Sequence, residues 1–188
     1  MEQTLTSTIT DKTVPIFILG IKNNKVSQYY EKLCIDNFKK FGYNNLNHFE
    51  AIVPETMGNE LTFESHRIYS STNKREWDVV EKAIWYSHYS LWCKCIELNE
   101  TIIVAEHDCM MTKPFTDIVL EHGLFSFAAT TRTSHSIAGV GYIITPRYAI
   151  KMVERATTIL INNPCDGFIH GLQIKRYPYG VLDKKFLH

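Results

Sequence analysis

Apolar and polar positions along the chain alternate in blocks whose periods change from continuous runs to helical spacing and back. After a polar stretch through Thr13, Val14-Pro15-Ile16-Phe17-Ile18-Leu19-Gly20 is apolar throughout, as in a strand buried on both faces. Between Ser27 and Phe41, the positions Tyr30, Leu33, Cys34, Asn37, Phe38 and Phe41 recur every three or four residues, and Gly42 follows as a stop. This spacing predicts an amphipathic helix with those positions inward. Asn47 to Val53 then predicts a second strand, closed by Pro54. Strand, helix and strand in that order open a parallel α/β sheet.

Glu55 to Lys74 is polar, has no sustained period, and is expected to be a long surface loop. From Trp77, the positions Val80, Ile84, His88, Leu91, Cys95 and Leu98 keep helical spacing up to Asn99. Thr101 to Ala105 predicts a third buried strand that runs straight into Glu106-His107-Asp108. Lys113-Pro114-Phe115 breaks the chain, and Leu124 to Thr131 predicts another strand. Gly139-Val140-Gly141 leads into the strand Tyr142-Ile143-Ile144. Thr145-Pro146 is an N-cap followed by proline at the first helical position, opening a helix to about Ile161. Asn162-Asn163-Pro164 ends it, and Cys165-Asp166-Gly167 is expected to be a turn before the apolar Phe168, Ile169, Leu172 and Ile174. The expected class is α/β: a mostly parallel sheet flanked by helices in one domain, residues 14–188, behind a tail of residues 1–13.

Composition narrows the possible functions. The 188 residues are 45% hydrophobic and 21% charged, which excludes disordered, collagen-like and coiled-coil chains. Twenty basic and twenty acidic side chains cancel to a formal net charge of zero. That balance gives no bulk attraction to nucleic acid or anionic membrane. Lys74, Arg75, Arg132, Arg147, Lys151, Arg155, Lys175 and Arg176 could still gather into a local basic face. The start of the chain does not read as a signal peptide, and no apolar run approaches the roughly 18 residues of a membrane-spanning helix. Five cysteines, with only Cys93 and Cys95 close together, fit reduced cytosolic thiols better than a zinc site. The expected location is the cytoplasm, in a bacterium or a phage-infected host.

The leading chemical candidate is Glu106-His107-Asp108. Ligands of open α/β sheets bind at the carboxyl ends of strands, and a divalent cation takes hard oxygen ligands such as two carboxylates bracketing one residue. The alternative is a solvated turn. Gly139-Val140-Gly141 precedes a strand rather than a helix and is not a phosphate loop. No nucleophile elbow is present, which makes a hydrolase the weaker class.

Four segments carry a resemblance to glycosyltransferase family 25, whose members use nucleotide sugars. Glu81 to Trp92 resembles the family's acidic, Ser-His, aliphatic and Trp block. Thr101 to Asp108 resembles its hydrophobic strand followed by Glu-Asp-Asp. Gly141 to Ala149 resembles its Tyr-Ile-Ile-Thr stretch, and Asn163 to Asp166 its later Pro-x-Asp. The resemblance implies a GT-A type fold, with residues 14–108 as the donor-binding half and 109–188 as the acceptor-binding half. It implies a nucleotide diphosphate sugar as donor, Mn²⁺ or Mg²⁺ on the diphosphate, and inverting transfer to an acceptor hydroxyl. That hydroxyl would belong to a saccharide, as in lipopolysaccharide biosynthesis, or to a hydroxymethylated base in phage DNA. Asp108 would be the direct metal ligand. Glu106 would act at the donor, and Asp166 would be the carboxylate taking the acceptor's proton. His107 stands where the family usually has an acid and is either a substituted ligand or turned away. His170, four residues past Asp166, is a candidate third ligand or acceptor contact if that segment is helical.

The family's arginine-rich turn after the first strand is here Gly20-Ile21-Lys22-Asn23-Asn24-Lys25, with Lys22 and Lys25 as candidate phosphate contacts. Ser87 and His88 would sit near the donor or support the acidic turn, although His88 also falls on the predicted apolar face. Trp77, Trp85 and Trp92 read as packing residues, Trp85 being the one best suited to offer a face to a sugar. The competing class is a carbohydrate- or nucleotide-binding module on the same fold that has lost turnover through His107.

Overall fold

A computed structural model of the chain describes residues 12–57, 78–115, 124–126, 141–158, 165–170, 175–176 and 182–184. For residues 124–126, 158, 166–167, 170, 175–176 and 182–184, the main chain alone is described. In chain order the elements are β1 (Ile16–Gly20), α1 (Lys25–Lys40), β2 (Leu46–Glu50), α2 (Val79–Leu98), β3 (Ile102–Glu106), β4 (Cys109–Met111), β5 (Leu124–Ser126), β6 (Gly141–Ile144), α3 (Pro146–Thr158), α4 (Cys165–His170), β7 (Lys175–Arg176) and β8 (Leu182–Lys184).

Six strands form one sheet in the order β2-β1-β3-β6-β5-β7, and β4 pairs with β8 apart from it. β1 runs parallel to both β2 and β3, β6 is antiparallel to β3 and β5, and β5 is parallel to β7. Every strand of the sheet except β6 therefore runs the same way. This is the mostly parallel, helix-flanked α/β architecture that the sequence predicts.

Alternation along the central strands assigns the two faces. Phe17, Leu19, Ile102, Val104, Tyr142 and Ile144 pack with α2, α3 and α4. Ile16, Ile18, Ile103, Ala105 and Ile143 face α1 through Cys34 and Phe38. Burial on both faces explains why β1, β3 and β6 read as unbroken apolar runs.

The helices start and stop where the local chemistry dictates. The Asn24 side chain accepts from the amides of Val26 and Ser27 at the start of α1. Gly42, at φ 86°, ends that helix, with its N–H on Lys39 O and that of Tyr43 on Phe38 O. Asp78 and Glu81 close a reciprocal capping box before α2, and Asn99, at φ 52°, terminates it. Thr145 caps α3 through the Tyr148 amide.

The structure corrects several expectations. Leu33, Val80 and Ile84 are exposed rather than inward. The buried residues of α2 are Ala83, Trp85, Tyr86, Ser87, His88, Leu91, Trp92 and Cys95. Mid-helix, four consecutive residues are covered on nearly all sides, so a one-face pattern misplaces the apolar stripe by about one residue. Trp85 is fully buried, with its ring against Tyr86, Tyr89, Trp92 and Phe168, and offers no face to a sugar. Cys165 to His170 is a short helix where a turn was expected, because Cys165, Phe168 and Ile169 anchor it in the core. β4, β7 and β8 are too short to leave a periodic signal. Trp77, the loop before it as far back as Gly58, and Gly139-Val140 lie outside the described residues.

Candidate functional site at the carboxyl edge of the sheet

Parallel pairing brings the ends of β2, β1 and β3 to one edge, and the start of the antiparallel β6 joins them. Glu50 pairs with Gly20, Leu19 with Glu106, and Ala105 with Gly141. The turn carrying Lys22 and the turn Glu106-His107-Asp108 consequently leave adjacent strands at the same edge, while Lys25 opens α1 just beyond. The apolar strands are interchangeable with many others; the polar residues at their ends are not, and these define the edge chemically.

The acidic turn is tied down by main-chain bonds. The His107 amide donates to Leu19 O at 3.1 Å, extending the β1–β3 pairing one residue past the strand. The His107 ring sets Nδ1 3.2 Å from that same carbonyl. A carbonyl only accepts, so Nδ1 carries a proton. The ring lies beside Tyr30 of α1, with centroids 6.5 Å apart. Glu106, His107 and Asp108 are all partly buried. Beneath them the Cys34 thiol is pushed well up by burial and by the Asp108 and Glu31 charges, so it is a neutral packing group.

Ser87 and His88 are almost wholly buried, at 1% exposure each. Ser87 Oγ accepts from the Ile52 amide at 2.9 Å and sits 2.9 Å from Ala83 O, fastening the chain that leaves β2 onto α2. His88 belongs to a buried polar chain: Trp92 Nε1 donates to the Tyr142 hydroxyl at 2.9 Å, and that hydroxyl lies 3.0 Å from His88 Nδ1. With its oxygen already accepting from Trp92, Tyr142 donates to Nδ1, which makes His88 the Nε2–H tautomer. Burial holds the His88 pKa down at about 4, so the ring stays neutral. Its Nε2 has no hydrogen-bond partner among the described residues.

Two further candidates, Asp166 and His170, are positions one helical turn apart on α4, which satisfies the helical condition for their sharing a face. Their side chains lie outside the described residues. Among the described residues no group of three or more His, Cys, Asp and Glu is arranged so as to hold a metal ion by itself. Of the possible basic face, Arg147 and Lys151 are exposed on α3 and Arg155 is half-buried beside Phe168. Lys74, Arg75 and Arg132 lie outside the described residues, as do the side chains of Lys175 and Arg176. No helix among the described residues is long and apolar enough to cross a membrane.

Sequence reasoning missed Glu31, His48 and Glu50. His48 Nδ1 lies 2.6 Å from Glu31 Oε1, and its Nε2 lies 3.0 Å from Glu50 Oε2. The available signal was His48-x-Glu50, two positions on one side of a strand, with Glu31 on the buried stripe Ser27, Glu31, Cys34 and Phe38 of α1. Burial of the His48 ring opposes its charge, but the hydrogen bonds to Glu50 and Glu31, together with their charges, outweigh it and raise its pKa.

In open α/β sheets the carboxyl ends of the strands are where ligands generally bind, and the carboxylates and the lysine turn lie at that edge here. The sequence profile of glycosyltransferase family 25, described as LPS biosynthesis protein, matches residues 15–123, more than half of the chain, and the chain belongs to that family. A search among curated proteins found no match. Two solved structures are similar at low identity. One is a transferase with two cysteine-to-serine substitutions, at 8% identity and TM-score 0.47, covering 88% of this chain and 85% of that one. The other is a glycosyltransferase involved in glycosylation of the major capsid of PBCV-1, at 12% identity and TM-score 0.42, covering 88% of this chain and 71% of that one.

Proposed function

We propose that the protein transfers a sugar from a nucleotide diphosphate donor to a saccharide hydroxyl, with a divalent cation on the diphosphate and inversion at the anomeric carbon. The observation that carries this reading is the placement of Glu106-His107-Asp108 and the Lys22 turn on adjacent strand ends, in a chain whose family is a glycosyltransferase family. The donor set fits the cation. Mg²⁺ or Mn²⁺ bound to substrate phosphates takes only one or two protein carboxylates, and Asp108 and Glu106 are partly buried residues that offer hard oxygen donors. The cation would stabilise the charge that develops on the departing diphosphate.

In this reading Lys22 and Lys25 face the donor phosphates and Asp166 takes the proton from the attacking hydroxyl. Ser87 fixes the floor of the edge by holding Ile52 on α2. The test is thermal stability against UDP-glucose, UDP-galactose, UDP-N-acetylglucosamine and GDP-mannose, each with and without Mn²⁺. Binding to the native state raises stability by mass action, by about 2.7 kcal/mol at a hundredfold excess over Kd. A shift with one donor that requires the metal is the expected result. The absence of any shift with all four would overturn the reading. A metal-dependent shift with no turnover would instead identify a binding module.

A further inference from the structure

Away from the acidic turn, the edge holds a second group of charges, of which the proposed chemistry uses Lys22 alone. His48 of β2 lies between Glu31 of α1 and Glu50 of its own strand, at 2.6 and 3.0 Å. The other oxygen of Glu50 accepts the Lys22 main-chain N–H at 3.0 Å, and the Lys22 ammonium stands 3.9 Å from Glu50 Oε2. Among the described residues, Glu31, Glu50 and, through Glu50, Lys22 are the titratable groups facing His48 from the elements packed against it.

A neutral imidazole has one N–H, whereas two ionised carboxylates offer only acceptors. Both contacts are hydrogen bonds at once only when the ring is charged. If the proton leaves, a ring lone pair faces a carboxylate at hydrogen-bond distance. Glu31 has little room to retreat: its side chain is 11% exposed and packs under Gly20, where a Cβ would come within 2.6 Å of Oε2. The Glu50 side chain is 45% exposed and is therefore the one that gives way, taking the Lys22 amide contact with it.

We infer that His48 and Glu50 are positioning residues that latch the turn between Gly20 and Asn24, and that the latch favours an anionic donor only while His48 is protonated. The inference rests on the reading of this edge as the donor site. Two arguments join in it. The closed latch fixes the direction of the Lys22 amide and ammonium. Its four side chains also sum to zero charge with His48 protonated and to minus one without the proton, which repels a diphosphate. The raised pKa of His48 agrees with the charged state.

The test uses the whole chain and two variants, Glu50→Gln and His48→Phe. Glu50→Gln keeps an oxygen for the Lys22 amide and supplies an N–H to the neutral ring's Nε2, so it closes the latch on the neutral ring and opposes the charged one, whose Nε2–H would meet an N–H. The first readout needs no ligand. Between pH 5.5 and 9, the Lys22 amide resonance should follow the His48 ring titration in the parent protein and respond in the opposite sense in Glu50→Gln. The second is the Kd, with Mn²⁺, of the tightest of the four nucleotide sugars, whose diphosphate diester keeps its charge over that range. Affinity should fall on the order of fivefold as pH rises through the His48 titration, fall less steeply in Glu50→Gln, where the charge change remains but the latch works the other way, and be weak at every pH in His48→Phe. A Lys22 amide that ignores the His48 titration, or a Glu50→Gln variant that keeps the parent pH profile, would overturn the latch. A latch visible in the amide titration with no donor bound at any pH would uphold the latch and overturn the donor reading, which separates the two.

Discussion

Replacing Tyr142 by Phe removes one oxygen atom from a chain of buried polar contacts. That oxygen accepts from Trp92 Nε1 at 2.9 Å and donates to His88 Nδ1 at 3.0 Å, and all three side chains are 0–1% exposed. The variant fills nearly the same volume, so no cavity term enters. It leaves one donor and one acceptor buried without partners, each costing about 1–3 kcal/mol, and recovers about 1 kcal/mol because a buried hydroxyl no longer needs desolvating. The expected net loss is about 3 kcal/mol. For a chain of 188 residues this is a fall of roughly 6–12 °C in Tm. Urea unfolding followed by circular dichroism measures it, with Tyr29→Phe as the control because Tyr29 is 58% exposed. A loss below about 1 kcal/mol would refute the buried chain of hydrogen bonds through Tyr142.

Two further predictions concern stability. The His88 pKa is held near 4, against an ordinary 6.5, by burial. The unfolded chain therefore binds this proton more readily than the native state, and His88 lowers stability progressively as pH falls from about 6.5 to 4, by up to about 3 kcal/mol. Its ring resonances should not titrate above pH 5, and a midpoint near 6.5 would contradict the buried placement. His48 has the opposite sign: its pKa is raised, so its contribution is complete at low pH and is lost as pH rises through that pKa. Asp78→Ala breaks the capping box in which the Asp78 side chain accepts from the Glu81 amide at 2.8 Å. It should lower stability by about 1 kcal/mol with m unchanged, and no change in the urea midpoint would count against the cap.

The parts of the fold legible in the sequence are those decided locally. Continuous apolar runs announce β1, β3 and β6 because both of their faces are covered. Asn99, Gly42 and Thr145 announce helix ends because caps are short-range chemistry. Leu33, Val80 and Ile84 mislead because apolar spacing does not say how much of a helix its neighbours cover. The acidic turn is legible because it directly follows a buried run. The His48 latch is not, since Glu31 and Glu50 lie 17 residues before and 2 residues after it and are joined through helix packing and strand register. His88 fits both a core position and a family motif; the hydrogen bond through Tyr142, 54 positions away, is what specifies its tautomer.

The most direct test of the central claim is turnover at the acidic turn. Sugar release from the donor that stabilises the protein is measured with Mn²⁺, with a chelator, and in Asp108→Asn, whose circular dichroism and Tm verify folding. The account predicts metal-dependent turnover that falls on the order of a hundredfold or more in the variant, the scale of losing a group that stabilises transition-state charge. Undiminished turnover in a folded Asp108→Asn protein would contradict it.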